Sequence, residues 1–368
     1  MKSVQDILCD LIQIRTDSSL ESNASFVDYL AHVFEQNDVL FEKIPNSDGK
    51  LVNILAGINV SKLKDIKGGI VLSGHMDTVS VDFNAWKTNP FHGIQQNGKI
   101  YGRGSVDMKQ FIAVCLYLLP QLKKINTPVF LAFSSDEETN VFGVQEIVRF
   151  LSQKNIRPKH ALIGEATDFK LCPCNRGYAG YQTIIKGAAG HAGKPDLGTN
   201  AIYIGAKIAN QIEKLNQFYA SKGTTLNLGM VQGGTGRNSI PGQMVLDWEI
   251  RYQNESDKNQ ILEQMNSFFQ DLETKYKKSE ILSKPKEMIP AFEKKEDSYL
   301  IQVAQSILRT KMMDYPYASE AGFFQSFEMD TLICGCGNMT LPHTANEYIL
   351  VEDMEKYAEF LIQLVNKL

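Results

Sequence analysis

The stretch Gly68-Gly-Ile-Val-Leu-Ser-Gly-His75-Met76-Asp77-Thr78 decides the fold of this chain. Its short apolar run, bounded by glycines, is typical of a buried strand rather than a helix. On an extended backbone, His75 and Asp77 project to the same side because they are two residues apart. A metal-bound histidine takes a carboxylate partner that fixes its tautomer. Because short motifs often arise by chance, a metal site requires further ligands at similar strand ends.

The same arrangement recurs twice along the chain. A second apolar run, 128–133, leads into Glu137 and Glu138, and a third, 160–163, leads into Glu165. Helical patterns follow the first two strands, and this alternation indicates an α/β fold with a mainly parallel sheet. Ligand sites in such sheets form at the carboxyl ends of the strands. We therefore expect these acids to share one edge with the histidine of the first stretch.

The hydrophobic pattern changes near residue 178. Residues 243–252 alternate apolar and polar side chains, a period of two that predicts a sheet with one solvated face. We therefore predict an inserted α+β domain at 178–290. The catalytic domain is then formed by residues 1–177 and 291–368.

Composition excludes several classes of protein. A chain of 368 residues suits two domains, and a net charge of −4 without a basic block argues against nucleic acid as a partner. No apolar run approaches the roughly 20 residues that span a bilayer. The N-terminus has no secretory signal, so we expect a cytoplasmic protein whose six cysteines are reduced core thiols.

Five side chains are candidate metal ligands: His75, Asp107, Glu138, Glu165 and His343. Nitrogen and oxygen ligands without thiolate suit zinc, cobalt or manganese, and zinc is the commonest where histidine contributes. Five ligands exceed the three of a single catalytic zinc, but they suit two ions if one carboxylate bridges. Glu137 is then left as a general base. The alternative is that these acids cap helices or are solvated, and that His343 is an ordinary loop residue.

Five sequence pieces, spread in order over nearly the whole chain, resemble one enzyme family: Ser73-Gly-His75-Met-Asp77-Thr-Val79, Tyr101-Gly-Arg-Gly-Ser-Val-Asp107-Met-Lys109, Asp136-Glu137-Glu138, Gly164-Glu165 and Pro342-His343-Thr-Ala-Asn-Glu347. It is the dinuclear zinc amidohydrolase family that includes acetylornithine deacetylase, succinyl-diaminopimelate desuccinylase, aminoacylase and carboxypeptidase G. The resemblance implies Asp107 as the bridge, with His75 and Glu165 on one ion and Glu138 and His343 on the other. It also implies Asp77 as the partner of His75, Glu137 as the base, and a cis peptide at Asp107-Met108.

The inserted domain resembles the lid and dimerisation domain of that family. By resemblance, His191 in Gly187-Ala-Ala-Gly-His191-Ala-Gly193 reaches the active site of a partner subunit and stabilises an oxyanion. Arg237, Asn238 and Arg251 match positions that hold the carboxylate of a small-molecule substrate. The resemblance thus implies a homodimer. The glycine-rich loop lacks the G-x-G-x-x-G spacing of a dinucleotide site.

Two stretches are similar to acetylornithine deacetylases: Thr225-Leu-Asn-Leu-Gly229 and Ala318-Ser-Glu320-Ala321. Glu320 is predicted to meet the side-chain ammonium of the substrate. The expected reaction is hydrolysis of N2-acetyl-L-ornithine to L-ornithine and acetate, a step of arginine biosynthesis. A desuccinylase, a metallo-dipeptidase and a metal-free binding protein are the alternatives. A structural zinc on the Cys172, Cys174, Cys334 and Cys336 pairs is disfavoured because C-x-C chelates poorly.

Overall fold

The computed structural model describes residues 2–368 as two compact units. The first unit comprises residues 2–174, 294–315 and 319–368, and the second comprises 175–293 and 316–318. The chain thus enters the second unit at residue 175 and leaves its main segment at 293, where the sequence-based boundaries are 178 and 290.

A six-stranded sheet forms the centre of the first unit. In their order across the sheet, its strands are β1 Leu40–Pro45, β2 Val52–Ile58, β7 Val129–Ser134, β4 Ile70–His75, β9 His160–Ile163 and β16 Asp330–Ile333. Strands β7, β4, β9 and β16 are parallel, and β1 and β2 extend the sheet antiparallel. The predicted α/β fold with a mainly parallel sheet is confirmed.

Register explains why the functional residues meet at one edge. All six residues of β4 are buried, as are those of β7, because both faces of the sheet are covered. In the parallel ladder His75 lies opposite Ser134, and Ser73 lies opposite Ile163. The three strands therefore end nearly level. The residues that follow them emerge at the same carboxyl edge of the sheet.

Helices cover this sheet, and the short strands of the first unit lie outside it. The helices are α1 Val4–Gln13, α2 Ala24–Gln36, α3 Lys109–Tyr117, α4 Leu119–Leu122, α5 Phe142–Gln153, α8 Tyr299–Leu308, α9 Ala321–Ser326 and α10 Val351–Lys367. The short strands are β3 Ile66–Lys67, β5 Ile94–Gln96, β6 Lys99–Tyr101, β8 Ile156–Arg157 and β17 Tyr348–Leu350. Helix α3 is buried over its first eight residues and packs against α1, α10 and β4. No helix in residues 2–368 combines the length and apolar character needed to cross a bilayer.

The second unit has its own sheet and its own apolar core. The antiparallel sheet β12-β14-β10-β15 consists of β12 Thr225–Gly233, β14 Gln243–Tyr252, β10 Gly177–Lys186 and β15 Glu280–Ile289. Buried residues alternate with half-buried ones along β14, so the prediction of one solvated face is confirmed. Helices α6 Ala201–Tyr219 and α7 Glu255–Lys275 pack on the buried face, and β11 Gly190–His191 pairs with β13 Ser239–Ile240. The ends of the insertion pair with each other, because Asn175 and Phe292 exchange two backbone hydrogen bonds of 2.9 and 3.1 Å.

Gly335, just after β16, allows two strand ends to approach closely. A Cβ at this position would lie 2.3 Å from the carbonyl oxygen of Glu165 and 2.5 Å from that of Gly164. We predict that Gly335→Ala lowers the free energy of unfolding by about 1–3 kcal/mol through overpacking, measured as a lower Tm. Gly229→Ala is the control, because the nearest atom to its Cβ is 3.7 Å away. Equal Tm values for the two variants would contradict the close approach.

Candidate metal centre and catalytic site

Loops at the ends of strands and helices deliver the five predicted metal ligands to one place. His75 ends β4, Glu138 follows β7, Glu165 follows β9, and Asp107 lies just before α3. The structure brings the five together as two groups that share one residue. The groups are His75, Asp107 and Glu165, and Asp107, Glu138 and His343, each with candidate ligand atoms within 4.8 Å of one another.

Asp107 lies between the two histidines. Its Oδ1 is 3.0 Å from Nε2 of His75, and its Oδ2 is 3.3 Å from Nε2 of His343. The outer carboxylates are similarly near: Oε1 of Glu165 is 3.7 Å from His75, and Oε2 of Glu138 is 3.0 Å from His343. Ligands around a tetrahedral zinc ion are roughly 3.3 Å apart, given metal–ligand bonds near 2.0–2.1 Å. The spacing therefore fits two ions bridged by one carboxylate.

The electrostatics of the five candidate ligands also favour the binding of two cations. Burial, reinforced by the negative charge of Asp107, raises the pKa of Glu165 to about 8. Burial opposes ionisation of Asp107, but hydrogen bonds from His343 and His75 outweigh it and lower the pKa of that carboxyl. Hydrogen bonds to Asp107 and Glu138 raise the pKa of His343 to about 10. Protons on the histidines thus supply the positive charge that bound divalent ions would supply.

Asp77 contacts both His75 and the loop that follows β7. Nδ1 of His75 is 3.0 Å from the backbone carbonyl oxygen of Asp77 and 3.5 Å from its carboxylate. The carboxylate accepts hydrogen bonds from the backbone amides of Glu137 and Glu138, at 3.1 and 2.9 Å. Asp77 therefore also fixes the loop that carries the proposed base and one ligand, a contact that sequence reasoning missed.

The acidic turn after β7 contains both a carboxylate that binds the start of α5 and the candidate base. The carboxylate is that of Asp136, which accepts hydrogen bonds from the amides of Phe142 and Gly143, at 3.2 and 2.6 Å. Glu137 is half-buried, and burial together with the charges of neighbouring acids raises its pKa well above the usual value, against the opposing effect of His75. A carboxylate of raised basicity beside the ligand cluster is suited to accept a proton.

Two buried residues around the cluster carry contacts that the sequence did not predict. The hydroxyl of Tyr315 donates to Oε2 of Glu165 at 3.3 Å. Glu347 is fully buried and accepts hydrogen bonds from the backbone around Asp107. No local pattern points to Tyr315, whereas Glu347 could have been singled out by its place four residues after His343 in a matching motif. The peptide Asp107-Met108 is cis, as the resemblance implies.

Glu320 lies buried beside the first strand of the site. It is 1% exposed, and its Oε2 accepts a hydrogen bond from Ser73 Oγ at 3.0 Å, so its contact with a substrate ammonium stays a prediction. Burial raises its pKa to about 7. Glu320 directly precedes α9, and Ser73, to which it is bonded, lies two residues before His75.

The remaining predicted residues belong to the second unit. His191 is exposed, and its Nδ1 accepts a hydrogen bond of 3.0 Å from the amide of Gly193. Arg237 and Asn238 are exposed in the loop before β13. Arg251 is paired, with Nε 3.1 Å from Oε1 of Glu249 and the guanidinium 4.5 Å from the ring centre of Tyr178.

The cysteines do not contribute to a metal group in residues 2–368. All six are free thiols, five of them buried, and both groups of candidate ligands contain only histidine and carboxylates. Cys174 donates to Oδ1 of Asp314 at 3.0 Å. The structure thus gives no support to a structural zinc on the paired cysteines.

The sequence pattern of peptidase family M20/M25/M40 matches residues 71–367, which include all five candidate ligands. The chain belongs to this family. It is therefore a hydrolase of the M20 type, in which activity depends on bound metal. The sequence-based family and enzyme class are confirmed.

Among curated M20 relatives, the chain is similar to acetylornithine deacetylases. It is 29% identical to that of Buchnera aphidicola over 382 aligned residues, covering 98% of this chain and 97% of the relative. It is also 29% identical to that of Pectobacterium carotovorum over 367 residues, covering 95% and 93%.

Solved M20 structures share the fold. A tripeptidase from Staphylococcus aureus superposes with a TM-score of 0.76 at 19% identity, covering 99% of this chain and 97% of the other. The metallo-carboxypeptidase Sso-CP2 from Sulfolobus solfataricus has a TM-score of 0.74 at 16% identity, with both chains fully covered.

Metal binding should release protons. At pH 7 the metal-free protein keeps protons on His343 (pKa about 10) and largely on Glu165 (pKa about 8), but ligands must be deprotonated to bind a metal. We predict release of at least about one proton on zinc titration, and an affinity that rises from pH 6 to 8. Calorimetry in two buffers of different ionisation enthalpy measures this release. His343→Gln should reduce it and the surface variant His32→Gln should retain it, whereas equal heats in both buffers would contradict it.

Proposed function

We propose that the chain is a dinuclear metal amidohydrolase that removes the acetyl group from N2-acetyl-L-ornithine. The observation that supports hydrolysis is the position of Asp107, one oxygen toward each histidine. The acetylornithine deacetylases at 29% identity over nearly the full length support the substrate. We further propose zinc as the metal, with cobalt as a substitute, because two of the five ligands are imidazoles.

The residues of the first unit can carry out amide hydrolysis in two proton transfers. Bound divalent ions would supply Lewis acidity, polarising the amide carbonyl and making water more acidic. Glu137 takes a proton from the attacking water as the C–O bond forms. The same carboxyl then gives the proton to the leaving nitrogen as the C–N bond breaks. The products are acetate and the free amine.

We propose that His191 assists by donating to the developing oxyanion. Because its Nδ1 accepts a hydrogen bond from Gly193, the neutral ring carries its proton on Nε2. This tautomer is a donor, as oxyanion stabilisation requires. By the family resemblance His191 acts in the site of a partner subunit, so the proposal includes a homodimer. Arg237 and Asn238, both exposed, stay candidates for the substrate carboxylate, whereas Arg251 would first have to leave Glu249.

The rival substrates on the same fold are N-succinyl-diaminopimelate and a dipeptide. The tripeptidase and the carboxypeptidase share the fold at under 20% identity, so they indicate no substrate for this chain. Glu320, which is 1% exposed and bonded to Ser73, stays a candidate for the ammonium of a cationic substrate. Two complete ligand groups favour an enzyme over a metal-free binding protein.

A substrate panel tests the proposed reaction. We predict that the zinc or cobalt enzyme has a kcat/KM for N2-acetyl-L-ornithine at least about 10-fold above that for N-succinyl-diaminopimelate or a neutral dipeptide. Glu137→Gln should lower kcat by about 100- to 10,000-fold, the range of a lost general base, while metal content stays unchanged. A higher kcat/KM for a rival compound would reassign the substrate. Full activity of Glu137→Gln would remove the base assignment.

An exposed apolar edge in the second unit supports the proposed dimer. β12 is an edge strand, and Met230 and Val231 on it are 69% and 57% exposed. Such an edge is a template for pairing with another chain, and a lysine on it blocks that pairing. We predict that Met230→Lys shifts a dimer to monomer in analytical ultracentrifugation. Met312→Lys, at an apolar position 43% exposed in the first unit, should leave the dimer intact.

Mixed subunits then test whether His191 acts across the dimer. A mixture of Glu137→Ala and His191→Ala chains should recover part of the activity that each lacks alone, because one hybrid site is complete. An inactive mixture would place His191 in its own chain or outside the chemistry. A wild-type monomer would refute the dimer itself.

A further inference from the structure

Glu347 is a buried carboxylate surrounded by donors from a single loop. It is 0% exposed, and its Oε1 accepts hydrogen bonds from the amides of Val106 and Asp107, at 2.6 and 3.1 Å. Its Oε2 accepts from the amide of Gly104 at 3.2 Å and from Nη1 of Arg103 at 2.5 Å. Four donors within five consecutive residues thus converge on one side chain.

The loop that Glu347 binds has irregular backbone. Residues 102–108 lie between β6 and α3, and strand pairing satisfies none of the three amides at 104, 106 and 107. Gly104 has a left-handed φ of 85°, so the backbone here needs external contacts to hold its shape. Burial raises the pKa of Glu347 to about 7, whereas Arg103 and the bonded amides favour the ionised form. Both oxygens of that form only accept, and hydrogen bonds to a charged acceptor are strong.

Glu347 also belongs to the segment that carries His343. His343 and Asn346 have left-handed φ values of 63° and 60°, and Oδ1 of Asn346 accepts a hydrogen bond from the amide of Lys87 at 2.7 Å. The main-chain oxygen of Glu347 accepts from the amide of Gly102 at 3.1 Å. Main chain and side chain together therefore join the two irregular segments that bear Asp107 and His343.

The two candidate metal groups differ in their dependence on this junction. His75 ends one buried parallel strand and Glu165 follows another, and their side chains are 1% and 7% exposed. His343 is 55% exposed at its side chain, so packing contributes little to its position. The group of Asp107, Glu138 and His343 thus relies on the junction for two of its three ligands. The group of His75, Asp107 and Glu165 relies on it for Asp107 alone.

We propose that Glu347 is a positioning residue that holds Asp107 and His343 at the separation required by the second metal ion. The inference rests on the proposed dinuclear site, and it assigns to Glu347 a role that does not involve contact with substrate or metal. Removal of its negative oxygen should leave all five ligands present but misplace two of them. The group of His75, Asp107 and Glu165 should lose less metal affinity than the group of Asp107, Glu138 and His343.

Metal titration of the Glu347→Gln variant tests this role. An amide would turn its NH2 group toward backbone N–H donors, so at least one of the four hydrogen bonds is lost. Metal-free protein is titrated with Co²⁺ or Zn²⁺ against a chromophoric chelator, and the Co²⁺ absorption spectrum is recorded at one and two equivalents. We expect the first equivalent to bind within about 3-fold of wild type and the second to bind about 10- to 100-fold more weakly, as for lost ligand-supporting contacts.

Glu352→Gln is the matched control. It makes the same change five residues further along the chain, at a side chain that is 73% exposed and pairs with Lys356 at the surface. We expect wild-type affinity for both equivalents. If Glu347→Gln does not fold, Arg103→Gln removes one of the four contacts and should weaken only the second equivalent, by about 2- to 10-fold.

Two results would overturn the positioning role. One is wild-type affinity for both equivalents in the variant; the other is an equal loss at both groups together with a collapse of Tm, as a merely structural residue would give. Wild-type protein that binds two equivalents but cleaves another substrate would refute only the proposed reaction. Wild-type protein that binds neither equivalent would refute both proposals.

Discussion

Hydrogen bonds from backbone amides to buried carboxylates hold the functional loops of the first unit in place. Three acids act in this way: Asp77 binds the amides of residues 137 and 138, Asp136 those of 142 and 143, and Glu347 those of 104, 106 and 107. These amides lie in loops or in the first turn of α5, so their N–H groups need acceptors from outside the sheets and the helix. Charged acceptors form stronger hydrogen bonds than neutral ones. These three buried carboxylates thus fix the conformation of backbone segments that the hydrogen bonds of the central sheet do not reach.

These hydrogen bonds allow several acidic side chains to lie close together in one site. Asp107, Glu137, Glu138 and Glu165 lie together in a largely buried place, where burial and mutual repulsion oppose ionisation. Without metal, protons on two histidines offset part of this charge. Affinity for divalent cations follows from the same cause, because cations relieve the repulsion that the fold imposes. The metal dependence of the M20 family thus has a direct counterpart in the charge of these residues.

The sequence predicted the parallel sheet and the ligands because both depend on local signals. Short apolar runs bounded by glycine gave the strands, and the residues just past them gave most of the candidate ligands. The role of Glu347 could not be read in this way, since its donors lie about 240 residues away. The burial of Glu320 could not be predicted either, because it follows from tertiary packing. Local sequence patterns therefore predicted which residues form the candidate metal site. The contacts that hold these residues in place depend on the tertiary structure.

The paired ends of the insertion have an evolutionary consequence. Because Asn175 and Phe292 are bonded to each other, the polypeptide leaves and re-enters the first unit through neighbouring points. The entropic cost of closing such a segment in its host grows only slowly with the length of the segment. Such a segment can be lengthened, shortened or exchanged between proteins without altering the host sheet. The length of the inserted module can thus change while the register of the central sheet is kept.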